Sequence, residues 1–287
     1  MSYQLKEVTV IGTGIMGLGI VQVFSQKTKC KVNILSRKQE SLENAMKKIE
    51  NTLDKLEKKG RLEESKEDII ARINPVIDIE EAFSNTDLVI ESVTERIDVK
   101  EKNFKNADRF SPPNAILATN TSSFSITQIA SFTQRPEKVV GMHFFNPAPV
   151  LKLVEIVRGN KTSDETVNII KRICEEIGKE PVICKKDSPA FIVNRILFPA
   201  LNEAASLVEE GVADPEDIDK AVKLGLNWPM GPIELLDLIG IDTTVEILNS
   251  LSGRLNESKY RPSSLLVRMV KVRNLGRKTK NGFYKYD

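Results

Sequence analysis

The stretch VTVIGTGIMGLGI, residues 8–20, decides the fold of this chain. Its glycines Gly12, Gly14 and Gly17 have the spacing G-x-G-x-x-G, directly after an apolar, β-branched run and before a helical pattern. In a strand–turn–helix unit the first glycine permits the tight turn, the second lets the backbone approach a pyrophosphate, and the third lets the helix pack closely on the strand. The helix N-terminus then faces the anion. The stretch therefore predicts a dinucleotide-binding loop rather than an ordinary tight turn.

The residues around this loop alternate short apolar runs with amphipathic patterns such as ESLENAMKKIENTLDKLEKKG. The runs that predict strands are residues 7–11, 31–35, 87–91, 115–119, 138–143, 152–157 and 180–184. Alternation of strand and helix predicts a parallel sheet covered by helices on both faces. We therefore expect an α/β fold with a Rossmann-like, doubly wound sheet.

The pattern changes near Asp187. The segment DSPAFIVNRILFPALNEAASLVEEG predicts a capped helix, with Pro189 near its start and Gly211 just after its end. The segments that follow are helical in pattern, and only GFYKY near the end has a strand signal. We therefore expect a Rossmann-like dinucleotide-binding domain over residues 1–187 and a smaller all-helical domain, for substrate binding and dimerisation, over residues 188–287.

Composition argues against several classes of protein. The 42 basic and 40 acidic residues are interleaved and give a net charge of +2, which argues against a nucleic-acid partner. No apolar stretch approaches the roughly 18 residues that span a membrane, and no basic segment followed by an apolar run predicts a signal peptide. The three cysteines form no CxxC pair, and the chain has one histidine. We therefore expect no membrane contact, no metal site and a cytoplasmic protein with reduced thiols.

The stretch VVGMHFFNPAPVLKLVEI, residues 139–156, contains that single histidine, His143. An isolated histidine is more often structural than catalytic. Next to a dinucleotide domain, however, a side chain with a pKa near neutrality is suited to exchanging a hydroxyl proton during hydride transfer. Glu155 lies in the run KLVEIV, which can return beside His143, and its carboxylate would fix the tautomer and stabilise the imidazolium. We therefore expect His143 and Glu155 to act as a proton-transfer pair.

Further motifs carry a resemblance to a known family. The runs NTSS, GMHFFNPAPVLKLVE, FIVNR and GPIELLDLIG resemble the L-3-hydroxyacyl-CoA dehydrogenase family, and the similarity extends from the glycine loop to the terminal LGRKTKNGFY. It is strongest to the short-chain bacterial members that act on 3-hydroxybutyryl-CoA. The resemblance implies reversible, nicotinamide-dependent oxidation of an L-3-hydroxyacyl-CoA to the 3-ketoacyl-CoA, in a cleft between the domains. It also implies a homodimer formed through the helical domain.

The resemblance assigns roles to individual residues. His143 matches the general base and Glu155 the glutamate paired with it. Ser122 matches the serine that hydrogen-bonds the substrate oxygen, and Asn194 in FIVNR matches the asparagine that holds the carbonyl side of the substrate. The residues matched to the cofactor, in the glycine loop and at the nicotinamide end, are Gly12, Gly14, Ile15, Met16, Gly17, Glu95, Lys100, Asn120 and Asn146.

Two lysines match family residues that meet the CoA phosphates. Lys55 and Lys59 in NTLDKLEKKGRL are four residues apart, so on one helix both ammonium groups can face one anion. Without the resemblance, a solvated lysine-rich helix face is an equal alternative.

The residues after the second predicted strand bear on the choice of cofactor. An acid there accepts a hydrogen bond from the ribose 2′-hydroxyl and favours NAD. This chain has Ser36, Arg37 and Lys38 instead, and no carboxylate before Glu40. Loss of the repelling acid and gain of two cations predict a 2′-phosphate pocket, so NADP is favoured over NAD. The alternative is that Arg37 only lies over the adenine ring and that the enzyme uses NAD or both cofactors.

One departure from the family pattern and two rival functions remain. Ala190 stands where family members usually carry glycine, which concerns the hinge between the domains rather than the chemistry. One rival is a two-domain dehydrogenase of a free 3-hydroxy acid; such enzymes typically use a lysine for proton transfer and lack HFFNP. The other is a non-catalytic dinucleotide-binding protein on the same fold. The presence of His143, Glu155, Ser122 and Asn194 together favours the hydroxyacyl-CoA enzyme over both.

Overall fold

The structure, a computed structural model, describes residues 4–287. It divides into two compact units, one ending at Ser188 and the other spanning Pro189–Asp287. The division lies one residue after the expected boundary.

The first unit is built on eight strands. They are β1 (Glu7–Ile11), β2 (Lys31–Leu35), β3 (Ile73–Val76), β4 (Leu88–Glu91), β5 (Ile116–Thr119), β6 (Val139–Phe144), β7 (Leu153–Arg158) and β8 (Glu180–Cys184). Its helices are α1 (Ile15–Lys27), α2 (Gln39–Glu57), α3 (Lys66–Ala71), α4 (Ile79–Phe83), α5 (Ile97–Phe110), α6 (Ile126–Ala130) and α7 (Asp164–Glu176).

The strands form one sheet in the order β3-β2-β1-β4-β5-β6-β7-β8. The order reverses between β1 and β4, which is the switch point where doubly wound sheets bind ligands, outside the carboxyl ends of the strands. All five residues of β1 are buried because the strand lies inside the sheet with both faces covered. The Rossmann-like α/β fold expected from the sequence is confirmed.

The sheet differs from the expectation at two places. Strand β3, with the sequence INPV, carries no strand signal because it contains a proline; it lies at the edge of the sheet, where a missing N–H is tolerated. Strands β6 and β7 pair antiparallel, so the sheet is not purely parallel. The short connection between them, residues 145–152, allows this reversal, whereas a parallel crossover needs a dozen or more residues.

The second unit contains helices only, with isolated bridges near its end. The helices are α8 (Val193–Glu209), α9 (Pro215–Leu226), α10 (Pro232–Ile239), α11 (Ile241–Leu255) and α12 (Ser264–Lys271). The smaller helical domain expected from the sequence is confirmed. Its core joins α8 to the other helices through side chains such as Leu201, Leu236, Leu248 and Leu266.

Two helix predictions in this unit need correction. Helix α8 begins at Val193 and not near Pro189, because Ala190 (φ 59°) and Phe191 (φ 57°) adopt the left-handed conformation. The segment GPIELLDLIGIDTTVEILNSL, whose pattern is helical throughout, forms two helices, because Gly240 with a φ of 104° ends α10.

The C-terminal segment is fixed to the helices by two buried carboxylates. Asp237 accepts hydrogen bonds from the backbone N–H groups of Phe283 and Tyr284, at 3.0 and 2.9 Å. Asp219 accepts one from the Tyr284 hydroxyl at 2.8 Å. Within residues 4–287, no helix is both long enough and apolar enough to cross a membrane.

Candidate active site

The glycine loop lies between β1 and α1, and its three glycines differ in the space available for a Cβ atom. Gly12 has a φ of 117°, and a Cβ there would lie 2.4 Å from the Ser92 carbonyl oxygen. A Cβ at Gly17 would lie 2.3 Å from the Gly12 carbonyl oxygen, so helix and turn are in direct contact. A Cβ at Gly14 would have nothing within 4 Å. The open space lies at the N-terminus of α1, where backbone N–H groups attract an anion. These residues therefore fit a dinucleotide pyrophosphate.

A cavity of about 900 Å³ in the first unit begins at this loop and extends to His143. Its volume lies within the range of about 300–1,000 Å³ typical of small-molecule sites. The cavity brings together eleven residues of the predicted site: Gly12, Gly14, Ile15, Met16, Ser36, Arg37, Glu95, Asn120, Ser122, His143 and Asn146. Its lining leaves out Gly17, Lys38, Lys100 and Glu155, which lie elsewhere in the first unit.

His143 and Glu155 face each other across the antiparallel pair of β6 and β7. Their side chains are hydrogen-bonded, with 2.7 Å between His143 Nδ1 and Glu155 Oε2. Glu155 is fully buried, and His143 is 5% exposed, with its ring tilted against that of Phe145 at a centroid distance of 4.6 Å. A carboxylate at Nδ1 holds the proton on that nitrogen, so Nε2 is the nitrogen that can exchange a proton with a ligand.

Ser122 contacts Glu95 rather than standing alone. Its backbone N–H donates to Glu95 Oε1 at 2.8 Å, and its hydroxyl donates to the same oxygen at 3.2 Å. Thr121 adds its hydroxyl at 2.9 Å. Burial raises the pKa of Glu95, but the charge and hydrogen bond of Lys100, with the bonds from Ser122 and Thr121, outweigh burial and lower the pKa.

Two of the remaining predicted cofactor residues are placed by local contacts. Asn120 follows β5; its Oδ1 accepts the backbone N–H of Phe144 at 2.8 Å, and its Nδ2 donates to the Ser92 hydroxyl at 3.2 Å. The side chain of Lys100 is 1% exposed and contacts Glu91 and Glu95, and its predicted contact with the cofactor stays a prediction.

The segment after β2 reaches the same cavity at its other end. Ser36 and Arg37 line it directly after the strand, and Lys38 is the residue before α2. Glu40 lies inside α2, as the sequence suggested, so Ser36 and Arg37 occupy the place where an acid would otherwise read the ribose. Lys102 of α5 also lines the cavity and adds a second cation to Arg37 there, one that the sequence does not suggest.

A second cavity of about 600 Å³ lies on the α2 side of the first unit. Its basic lining residues are Lys27, Lys48 and Arg61. Lys55 and Lys59 are exposed and lie outside this lining. The expectation that both share one helix face is wrong, because α2 ends at Glu57 and Lys59 lies in the turn that follows.

Asn194 is the second residue of α8 in the helical unit. Its predicted contact with substrate remains a prediction.

Sequence reasoning missed Glu91 and Thr121. Glu91 is the last residue of β4 and is fully buried, which the sequence signals only weakly as an acid at the carboxyl end of an apolar run. Thr121 precedes Ser122 in NTSS and binds the same carboxylate. Across residues 4–287, no group of three or more His, Cys, Asp or Glu side chains is placed to hold a metal ion.

Comparison with known proteins places this geometry in a family. A family model described as "3-hydroxyacyl-CoA dehydrogenase, NAD binding domain" matches residues 7–188. A second, "3-hydroxyacyl-CoA dehydrogenase, C-terminal domain", matches residues 191–286.

Individual relatives and solved structures agree. A protein of Deinococcus radiodurans named "Probable 3-hydroxybutyryl-CoA dehydrogenase" is 47% identical over 96% of this chain and 99% of its own length. A "3-hydroxybutyryl-CoA dehydrogenase" of Clostridioides difficile is 44% identical over 98% and 99%. The crystal structure of (S)-3-hydroxybutyryl-CoA dehydrogenase from Ralstonia eutropha has a TM-score of 0.94 and 40% identity, covering 99% of this chain and 100% of that one. The chain therefore belongs to the 3-hydroxyacyl-CoA dehydrogenase family.

Proposed function

We propose that the protein catalyses the reversible oxidation of 3-hydroxybutyryl-CoA to the 3-keto thioester, with His143 and Glu155 as its proton-transfer pair. The observation that carries the proposal is the buried His143–Glu155 hydrogen bond of 2.7 Å, with His143 at the wall of the cavity that begins at the glycine loop. The names of the similar bacterial proteins support the short-chain substrate. A non-catalytic protein would have no use for a buried imidazole–carboxylate pair at a ligand cavity.

The roles of the side chains follow from their chemistry. In the oxidising direction Nε2 of His143 takes the proton of the substrate hydroxyl, and Glu155 stabilises the imidazolium that forms. Ser122 hydrogen-bonds the reacting oxygen, and Asn194 holds the thioester carbonyl. The nicotinamide, when bound, supplies the acceptor of the hydride. Gly12, Gly14 and the N-terminus of α1 would hold its pyrophosphate.

Replacing the histidine tests the proposal. We expect His143→Ala to lower kcat with acetoacetyl-CoA by a factor of about 10²–10⁴ while leaving dinucleotide affinity nearly unchanged, because the side chain acts on the proton and not on the pyrophosphate. Glu155→Gln should reduce kcat in the same direction, since a neutral amide stabilises imidazolium less well. Near-native turnover of His143→Ala would show that another group is the base.

We further infer that the cofactor is NADP in preference to NAD. Ser36 and Arg37 line the cavity at the position of the usual acid, and Lys38 follows them. A serine hydroxyl and a guanidinium both donate to phosphate oxygens, and the guanidinium forms a bidentate contact.

The CoA moiety is assigned to the second cavity. Lys48 and Arg61 in its lining suit phosphate groups, and Ile15 and Asn146 line both cavities, so the two cavities are adjacent. Lys55 and Lys59, matched through the family resemblance, remain proposed phosphate contacts from outside this lining.

A homodimer formed through the helical unit is part of the proposal. The apolar segments PIELLDLIGI and SSLLVRMV could supply such a surface, but they belong largely to the core of this unit, where Ile233 and Leu266 are fully buried. Among the exposed apolar side chains of this unit, Leu224 and Leu226 near the end of α9 are 77% and 65% exposed, whereas Leu238 of α10 is 46% exposed. The odd number of buried cysteines supports the cytoplasmic location expected from the sequence.

A further inference from the structure

Glu91 is a buried carboxylate with no assigned role in the reaction. It ends β4 and is fully buried. Its two oxygens accept hydrogen bonds from Lys100 Nζ at 2.9 and 3.0 Å. Oε2 also accepts the Thr119 hydroxyl at 2.7 Å, and Oε1 the backbone N–H of Val93 at 2.8 Å. A carboxylate this well supplied with donors is held in one orientation.

Lys100 connects Glu91 to the cavity wall. An ammonium group has three donors. Lys100 Nζ lies within 3.0 Å of both Glu91 oxygens and 2.9 Å from Glu95 Oε2, so three acceptors surround it. The side chain is 1% exposed, which leaves it little alternative to these carboxylates.

Glu95 is the member of this network that reaches the cavity. Its side chain is 39% exposed and lines the cavity, while its carboxylate accepts the backbone N–H and hydroxyl of Ser122. A continuous chain of polar contacts therefore runs from Glu91 at the end of β4, through Lys100 and Glu95, to Ser122.

We propose that Glu91 is a positioning residue: it fixes Lys100, and the Lys100 ammonium keeps the Glu95 carboxylate ionised and in place to orient Ser122. The inference rests on the proposed function, because Ser122 is there assigned to the substrate oxygen. Two carboxylates sharing one ammonium carry a net charge of −1. Without the ammonium the two carboxylates repel each other, and one takes up a proton. A protonated Glu95 accepts less well from Ser122.

Proton uptake by Glu91 or Glu95 can be distinguished from protonation of the other charged groups near the cavity. His143, Asp98 and Lys102 line the same cavity, and Arg96 forms an ion pair with Asp98. In the proposed reduction His143 donates a proton, so added acid does not remove its active form. A new loss of activity on the acid side would therefore come from the carboxylates.

The first experiment measures kcat against pH for acetoacetyl-CoA reduction. We expect the activity of Lys100→Met to fall towards acid pH, where that of the wild type does not, because Glu91 and Glu95 then repel each other and the pKa of one of the two carboxyls rises. The double variant Glu91→Leu/Lys100→Met removes the repulsion and should recover the acid-side activity. A merely structural role of Lys100 would not produce a pH-dependent loss that a second substitution repairs.

The second experiment uses Glu91→Gln, in which an amide N–H would face the ammonium. We expect kcat to fall by about tenfold, as for loss of one oriented hydrogen bond, with dinucleotide affinity by fluorescence titration within about twofold of wild type. Glu101→Gln is the matched control: this residue follows Lys100 on α5 and forms an exposed pair with Lys105. It should leave both quantities unchanged.

Ser122→Ala distinguishes failure of the inference from failure of the proposed function. If Ser122→Ala keeps wild-type turnover, the role of Ser122 is wrong. If it is impaired while Lys100→Met keeps the wild-type pH profile, the positioning role alone is overturned. If Lys100→Met does not fold, Glu91→Gln decides: unchanged kcat, or a fall matched by an equal loss of dinucleotide-binding sites, overturns the inference.

Discussion

Arg37 is the residue on which we expect the choice between NADP and NAD to depend. It lines the cavity directly after β2, where a carboxylate would repel a 2′-phosphate. Because a guanidinium binds phosphate but gains little from a neutral ribose hydroxyl, Arg37→Ala should weaken the use of NADPH selectively. Losing one charge-assisted contact of about 1.5–3 kcal/mol corresponds to about tenfold or more in kcat/KM.

The measurement is kcat/KM for NADPH and for NADH with wild type and Arg37→Ala. A wild type that prefers NADH, or a variant that loses both cofactors equally, would show that Arg37 does not bind the phosphate. Lys38→Ala is a useful companion, because Lys38 lies outside the cavity lining and should matter less.

For single residues, the sequence predicts which residues belong to the site better than it predicts the contacts between their side chains. His143 and Glu155 stood out because a unique histidine and an acid among apolar neighbours are both unusual. Lys100 is buried between Glu91 and Glu95. This contact could not be predicted, because a contact between side chains of different elements has no signature in a single sequence.

Among the elements, the turn between β1 and α1 contains glycines whose replacement should affect folding stability and dinucleotide affinity differently. We expect Gly14→Ala to leave thermal stability within the equivalent of about 1 kcal/mol, since its φ of −73° suits alanine and no atom lies near the new methyl group. Dinucleotide affinity should fall by about tenfold or more, because the methyl group occupies the space of the pyrophosphate.

Gly12→Ala is the contrasting variant for this turn. Its Cβ would lie 2.4 Å from the Ser92 carbonyl oxygen at a φ of 117°, so we expect loss of both stability and binding. Thermal denaturation and fluorescence titration measure the two quantities. A Gly14→Ala variant that binds normally would contradict the assignment of this loop.

Helix α2 and the turn after it contain the basic side chains that we propose to contact the CoA phosphates. Replacing Lys48 and Arg61 by alanine should raise KM for acetoacetyl-CoA by about tenfold with little change in kcat, since phosphate contacts far from the reacting carbon bind ground and transition states alike. Replacing Lys55 and Lys59 should raise KM less, because exposed charges are screened.

A pantetheine thioester, which lacks the nucleotide phosphates, is the control substrate. Its KM should be unchanged in both double variants. If it rises as much as that of the CoA thioester, the second cavity does not bind the phosphates.

Element boundaries show which signals a sequence contains. Strands β1 and β2 begin and end as predicted, because continuous apolar runs bounded by glycine or polar residues mark buried strands. Strand β3 was missed because its proline opposes the strand pattern. The start of α8 was misplaced because left-handed backbone at Ala190 is not expected of a residue with a Cβ.

At the scale of the whole molecule, the prediction concerns self-association. We expect the wild type to have twice its chain mass of 32.1 kDa in light scattering coupled to size exclusion. Leu224→Glu/Leu226→Glu should shift it to the monomer mass, because carboxylates in an apolar interface are desolvated without partners.

Val182→Glu is the control, at a half-exposed apolar residue of β8 in the first unit. It should leave the mass unchanged. A wild-type monomer, or dissociation by Val182→Glu alone, would contradict an interface on the helical unit.

The pairing of His143 with Glu155 by strand register has a consequence for how such an enzyme can be altered. The partnership is set by the hydrogen-bonded ladder of β6 and β7 and not by the connection between them. Evolution or protein design could therefore change the length of the connection, residues 145–152, and with it the shape of both cavities, without separating His143 from Glu155. A single residue inserted within either strand is different: it would turn one partner to the opposite face of the sheet. We therefore expect substrate range to change gradually with the length of this connection, and the proposed proton transfer to be lost at once when the strand register changes.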